Sequence, residues 1–439
     1  MFSEPRMRTF HWTMTCVLAV LPIALAESYL PTVPPGAGLP QSDSCYTTIT
    51  TPVSKATVLN AIHIKTAADV QSIRSQLITQ VWGAAGFPTR LVTGSNIVQT
   101  TSTTPAALAS GLYPLLNARS HLGSEQRLTI NLLSSPSVNS VVFQWTPNVS
   151  NGRLFVMHDG HSDDSYNSDG TVHIRAMNNI SSFVTVNRLL ELGFTVLWIQ
   201  MPLYGDNLTS SSGASFPTSS LCPNTGTNNI VNLSLCNRHQ EIFDTYSNPL
   251  KFFVEPIVVA INTAVTNGTF KDITMMGASG GGWSTVLAAA VDPRIAKSAS
   301  VAGSLPSFLP SATDSCTFSR DAEQLNGPGV LYGGISYLDL YILAANGIQQ
   351  SGAKRQHIQI NNQFDSCCFF GINYQGYAGV LSNYMIHNSL GSYKYYLDSG
   401  FVGHGYHLQG SGGSMVNTTL NIVLHVPGAA TVVNDVLPQ

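Results

Sequence analysis

From Arg127 onward, short apolar runs recur between clusters of turn-formers. Arg127 to Leu133, Ser140 to Trp145 and Arg153 to His158 predict neighbouring strands, punctuated by Ser134-Ser135-Pro136 and Asn151-Gly152. Helical spacing at Val184 to Leu192 then leads to a buried strand at Phe194 to Gln200, and a polar stretch from Gly205 to Asn237 reads as an insertion or lid. Beyond it, Pro249 to Val265 predicts a helix, Ile273 to Met276 a strand, and Trp283 to Val291 a second helix after a glycine turn. Ser298 to Ala302, His357 to Asn361 and Tyr393 to Leu397 supply further strands with helix-compatible segments between them. Strands alternating with helices predict an α/β fold, with a mostly parallel central sheet covered by helices on both faces.

The residues before Arg127 divide differently. An uncharged run from Thr13 to Ala26 follows Arg6 and Arg8 and ends in Ala24-Leu25-Ala26, which predicts a signal peptide over residues 1–26. The run is shorter than the roughly 20 residues that span a bilayer, and Leu420 to Val426 has only the size of a core element, so no membrane span is expected after signal removal. Residues 27–126 form an N-terminal extension with one helical pattern at Ala67 to Trp82 and no assignable chemistry. Residues 127–439 hold the α/β domain, with its insertion at about 205–237.

Composition narrows the partners. The chain of 439 residues is 44% hydrophobic and 10% charged, with a formal net charge of -3. Without clustered Lys/Arg it lacks the electrostatic footprint of a nucleic-acid binder. The Asn-x-Ser/Thr sequons at Asn148, Asn179, Asn207, Asn232, Asn267 and Asn417 predict a glycosylated, secreted protein. Cys45, Cys222, Cys236, Cys316, Cys367 and Cys368 remain after signal removal, an even set that suits disulfides; proximity suggests only Cys222 with Cys236.

The chemistry gathers at Gly277-Ala278-Ser279-Gly280-Gly281. A serine hydroxyl is a poor nucleophile, and a sharp strand-to-helix turn can present it to a base; the crowded backbone of such a turn requires small flanking residues. No lysine stands where a phosphate-cradling loop would need one. An orienting acid and then a histidine should follow, each after a later strand. Asp365, just past the strand at His357 to Asn361, is the natural acid, whereas Asp339 sits in the apolar, helix-like Tyr337-Leu338-Asp339-Leu340, where a surface or capping role fits. The loop Gly403-His404-Gly405-Tyr406-His407 offers two histidines, and spacing leaves both open. Oxyanion donors are expected at the N–H of Gly280 and in the loop His158-Asp159-Gly160-His161, at Gly160. His158, Asp159, His161, Asp163 and Asp164 are metal-ligand types without a regular ligand spacing, so no metal is expected; acyl transfer of this kind needs no cofactor.

With these residues in order, the chain resembles the α/β-hydrolase superfamily from about Arg127 to Val426. Phe252-Phe253-Val254-Glu255-Pro256, Gly277 to Trp283, Val301-Ala302-Gly303-Ser304-Leu305-Pro306 and Phe364-Asp365-Ser366-Cys367-Cys368-Phe369 resemble a secreted subgroup of hydrolase-like proteins. In that subgroup an Asp precedes His-x-x-His, matched here by Asp398, His404 and His407. The resemblance implies that the second histidine, His407, is catalytic, with His404 as the alternate because Leu408-Gln409-Gly410 departs from the subgroup's ending. It implies a Ser279-Asp365-His407 serine hydrolase acting on a small-molecule or polymer-linked ester. A serine peptidase or an inactive hydrolase-fold binding protein are the alternatives.

Overall fold

The computed structural model describes residues 42–49, 52–100, 121–134, 137–161, 180–202, 246–306, 308–309, 334–348, 352–409, 416–425 and 433–435, together with Asn207, His239, Ile242 and Phe243. The expected signal peptide, Asn179, Asn232, Cys222, Cys236, Asp163, Asp164 and all of the expected lid except Asn207 lie outside these residues.

The strands are β1 (Ile97–Thr100), β2 (Leu122–Ser134), β3 (Ser137–Pro147), β4 (Leu154–His158), β5 (Thr195–Ile199), β6 (Ile273–Ala278), β7 (Ile295–Val301), β8 (Gln356–Phe364), β9 (Ser392–Val402), β10 (Leu408–Gln409), β11 (Val416–Asn417) and β12 (Val433–Asp435). Ten of them form one sheet in the order β1-β2-β3-β5-β4-β6-β7-β8-β9-β12, while β10 and β11 make a separate ribbon. From β5 across to β9 all neighbours are parallel, and the flanking pairs β1/β2, β2/β3, β3/β5 and β9/β12 are antiparallel. The central strands explain themselves: Leu154 to His158 and Thr195 to Ile199 are buried throughout, as strands covered on both faces must be.

The helices are α1 (Asp43–Thr47), α2 (Lys55–Asn60), α3 (Ala67–Trp82), α4 (Ile180–Glu191), α5 (Lys251–Asn267), α6 (Gly280–Val291), α7 (Tyr337–Ala345), α8 (Ala378–His387) and α9 (Thr418–Leu424). On one face, Val186, Leu189 and Leu190 of α4 and Leu420 and Val423 of α9 join Phe143, Trp145, Phe155, Met157 and Trp198 in a single apolar cluster. Helices α5, α6 and α7 pack on the strands, α6 contacts both α5 and α7, and α3 packs on α5 and α6. No helix among the described residues is long and apolar enough to cross a membrane.

The boundary expected at Arg127 falls inside β2, and the segment before it is tied into the same body. Arg74 of α3 donates to the carbonyls of Ala290 and Leu343, near the ends of α6 and α7. Arg90 and Trp82 both donate to the carboxylate of Glu255 in α5. From the other side, buried Arg355 donates to Ala289, Asp292, Ile295, Leu343 and Asn346 carbonyls, placing a cation where two helix C-termini leave acceptors unpaired.

Two of the expected glycosylation sites, Asn207 and Asn417, are buried. Asn207 packs against β3: its Oδ1 accepts from the N–H of Val141 and its Nδ2 donates to the carbonyls of Gln200 and Met201. Asn417 caps α9, accepting from Leu420 N–H at 2.8 Å while its Nδ2 donates to Thr185 Oγ1. A glycan on either Nδ2 would displace these bonds and the packing around them. Asn148 and Asn267 are exposed.

Candidate active site

Strand β6 delivers Ser279 to the sheet's C-terminal edge, and α6 begins one residue later. Ser279 has φ 55° and ψ -128°, a positive φ that costs a non-glycine residue on the order of 1–3 kcal/mol and is held by its surroundings. Its N–H donates to Val301 O of the neighbouring strand, and its carbonyl accepts from Trp283 N–H as α6 starts. The crowding is real: a Cβ on Gly281 would overlap the carbonyl of His158 at the end of β4.

That contact brings the loop after β4 to Ser279. A Cβ on Gly160 would stand 2.6 Å from Ser279 Cβ and 2.7 Å from Ala278 O, so only glycine lets the backbone approach there. The expected oxyanion residues, Gly160 and Gly280, therefore flank Ser279 on two sides. The ring of His161 lies against Gly280, 2.8 Å from where a Cβ would be, and its Nε2 is 3.1 Å from His239 Nδ1. His239 Nε2 donates to Pro202 O, so in the neutral pair His161 is the donor to His239. His158 Nδ1 donates to Asp159 O at 2.7 Å, and burial pushes its pKa down to about 4. Asp159 accepts from Trp198 Nε1.

The acid and the two histidines are sorted by the fold. Asp365, fully buried, follows β8. Its Oδ1 accepts from the N–H groups of Cys367 and Cys368, at 2.7 and 3.2 Å. His404 Nδ1 lies 3.0 Å and 2.9 Å from the two carboxylate oxygens, so it is His404 that Asp365 orients. The expected Asp365–His407 pair does not form. His407 is buried, with Nδ1 2.6 Å from Asp398 Oδ2, its N–H donating to Thr419 Oγ1 and its ring stacked on Phe401. The reason is local: Asp398 lies in β9 itself, so a histidine returning along that strand meets it first, while His404, at the turn, reaches across to the end of β8.

With Nδ1 donating to a carboxylate, His404 presents Nε2 as an acceptor, and that atom is buried without a partner among the described residues. The loop carrying it touches the elbow, since a Cβ on Gly405 would lie 3.9 Å from Ala278 Cβ. Asn362 of β8 clamps the loop on both sides of His404, its Nδ2 donating to Gly403 O and Gly405 O, each at 3.0 Å. Phe369 stacks on the imidazole at 6.3 Å. Nothing in the local sequence marks Asn362 for this role. Cys367 and Cys368, expected only as cysteines in some pairing, form a disulfide with each other beside His404. Cys45 is also disulfide-bonded. Asp339 is buried rather than at the surface, and it is a cap: it completes the capping box of α7 and accepts from the N–H groups of His63 and Ile64.

A serine on a strained turn after β6, an aspartate after β8, a histidine after β9, and a parallel sheet whose order reverses at β5-β4-β6 define the α/β-hydrolase fold, on which this chain is built. No protein-family model matches the chain, and no curated protein matches it in sequence. Among solved structures it is similar to an acetyl xylan esterase from Paenibacillus sp. R4, at 15% identity and a TM-score of 0.41 over 81% of this chain and 94% of that one. It is also similar to a glucuronoyl esterase from Solibacter usitatus, at 12% identity and a TM-score of 0.42 over 84% of this chain and 95% of that one. A methylesterase matches at 12% identity and a TM-score of 0.44 over 81% of this chain; the match spans 64% of the methylesterase, under two thirds of its length.

Proposed function

We propose that the chain is a serine hydrolase that cleaves a carboxylic ester of a small molecule or a polymer through Ser279, His404 and Asp365. The observation that carries this reading is the Asp365–His404 pair, held by loops after β8 and β9 at the same sheet edge where Ser279 stands strained. His404 Nε2 takes the proton of Ser279 as Oγ attacks the acyl carbon, and Asp365 keeps Nδ1 protonated and stabilises the imidazolium. The N–H of Gly280 and the Gly160 loop meet the charge developing on the carbonyl oxygen. His404 then returns the proton to the leaving alcohol, and water releases the acyl group by the same steps in reverse. A fluorophosphonate probe labels the wild type and not Ser279→Ala; an unlabelled, folded wild type would refute the reading and favour a binding protein.

Export and glycosylation belong to the same proposal, supported by the leader-like residues 1–26 and by the exposed sequons Asn148 and Asn267. Glycosidase treatment of the protein secreted from a eukaryotic host should shift glycopeptides at those two positions and none at Asn207 or Asn417.

A further inference from the structure

Beside the acid and the base, the fold collects three soft ligand atoms. Cys367 Sγ, Cys368 Sγ and one ring nitrogen of His404 all lie within 4.8 Å of one another. Cys367 reaches solvent while Cys368 is buried, and both backbone N–H groups are fixed on Asp365. As a disulfide the two sulfurs are poor ligands. As thiolates they would suit a cation of the zinc group, which binds thiolate sulfur at about 2.3 Å and imidazole nitrogen at about 2.1 Å, so that two sulfurs on one tetrahedral ion stand about 3.8 Å apart. The ring nitrogen already lies within 4.8 Å of both sulfurs, and opening the sulfur–sulfur bond lets the sulfurs separate toward that spacing.

We propose that the Cys367–Cys368 disulfide masks an inhibitory metal site: on reduction, Cys367, Cys368 and His404 bind a soft divalent cation and take the base out of service. This inference rests on the reading of His404 as the base. The chemistry is thiol–disulfide exchange with a dithiol reductant. A thiolate of the reductant attacks Cys367 Sγ, the Cys367–Cys368 bond breaks, and the second reductant thiol closes its own disulfide. Two electrons and two protons thereby pass to the protein as two thiols. The cation then displaces both thiol protons. Whichever nitrogen of His404 it takes, catalysis stops. Binding at Nε2 removes the lone pair that accepts the serine proton, and binding at Nδ1 removes the hydrogen bond to Asp365. The oxidised protein, with no thiolate at this place, is indifferent to the metal.

The test uses the full chain before and after treatment with a dithiol reductant that is then removed under inert gas. Cadmium is added alone, and two signals are followed: the ultraviolet thiolate-to-cadmium charge-transfer band and the turnover of a chromogenic ester. The reduced wild type should develop the band at one cadmium per chain, lose turnover by about a hundredfold or more, and recover it with a chelator. Oxidised wild type and a reduced Cys367→Ser/Cys368→Ser variant should show neither change, each compared with its own metal-free rate. The variant controls for the other cysteines, and reduced Cys367→Ser alone, which removes one of the two sulfurs and leaves the other cysteines as they are, stands in for it if it does not fold. A missing band, or one that survives in the variant, overturns the site. A band with undiminished turnover overturns its coupling to catalysis. Turnover of metal-free, oxidised His404→Ala is measured separately: full activity there would remove the base assignment, while the charge-transfer band would still report the metal site.

Discussion

Nδ1 of His404 stands 2.9 Å from Oδ2 of Asp365, although 39 residues of chain separate them. The carboxylate is also held from behind by the N–H groups of Cys367 and Cys368, so it cannot swing toward another partner without leaving two donors unpaired. His407, meanwhile, is engaged with Asp398. His404→Ala should therefore lower kcat by about 10³- to 10⁴-fold with little change in the thermal midpoint. His407→Ala should keep turnover within about tenfold. It leaves Asp398 buried without its partner, at a cost on the order of 3 kcal/mol in unfolding free energy. Ester kinetics and urea melts on both variants check this, and the reverse pattern would restore His407 as the base.

Gly160→Ala tests the oxyanion wall. The added methyl meets Ser279 Cβ and the fixed carbonyl of Ala278, so the loop must retreat from the nucleophile. A fall in kcat/KM of about 10²- to 10³-fold is expected, the size of losing one oxyanion donor. Substrate affinity measured with the inactive Ser279→Ala background should change far less; an active Gly160→Ala enzyme would place the second donor elsewhere.

Asn362 is a positioning residue, acting through the loop that carries His404. Replacing it with Leu removes both donors to Gly403 O and Gly405 O. Displacement of the imidazole by about 1 Å should cost on the order of a hundredfold in kcat while KM moves little. A purely structural role would instead lower the yield of active sites, so titration with a fluorophosphonate separates the two: the full complement of sites, each slow, is the expected result.

Acid should weaken the fold through two histidines outside the proposed proton relay. Burial pushes His158 down to about 4 and His357 to about 3, from 6.5 in the unfolded chain. Below pH 6.5 the unfolded state binds protons that these rings refuse, so stability is complete above that pH and declines as pH falls toward 4. Between pH 7 and pH 5 each ring should cost on the order of 2 kcal/mol. Urea denaturation of His357→Gln across this range should show a shallower pH dependence than the wild type; parallel curves would sink the idea.

Much of this protein was settled by short-range chemistry. The strand, turn and helix around Ser279 follow from apolar runs and small residues adjacent in sequence, because a strained elbow is specified by its own neighbours. The alternation from Arg153 to Leu397 likewise expresses burial on two faces, which each segment carries in its own composition. Tertiary structure decided what depends on distance across the sheet. His404 and His407 are three residues apart, and the placement of β8 beside β9 brings Asp365 to the first, while the second folds back onto Asp398 of β9. The sequons at Asn207 and Asn417 look like any others until packing turns their amides inward. Asn362 has no local signature because its partners are carbonyls more than 40 residues on, set beside it by the sheet. Local patterns record which segments are buried and where the chain must turn; pairings between loops follow from strand order and register, which only the assembled sheet fixes.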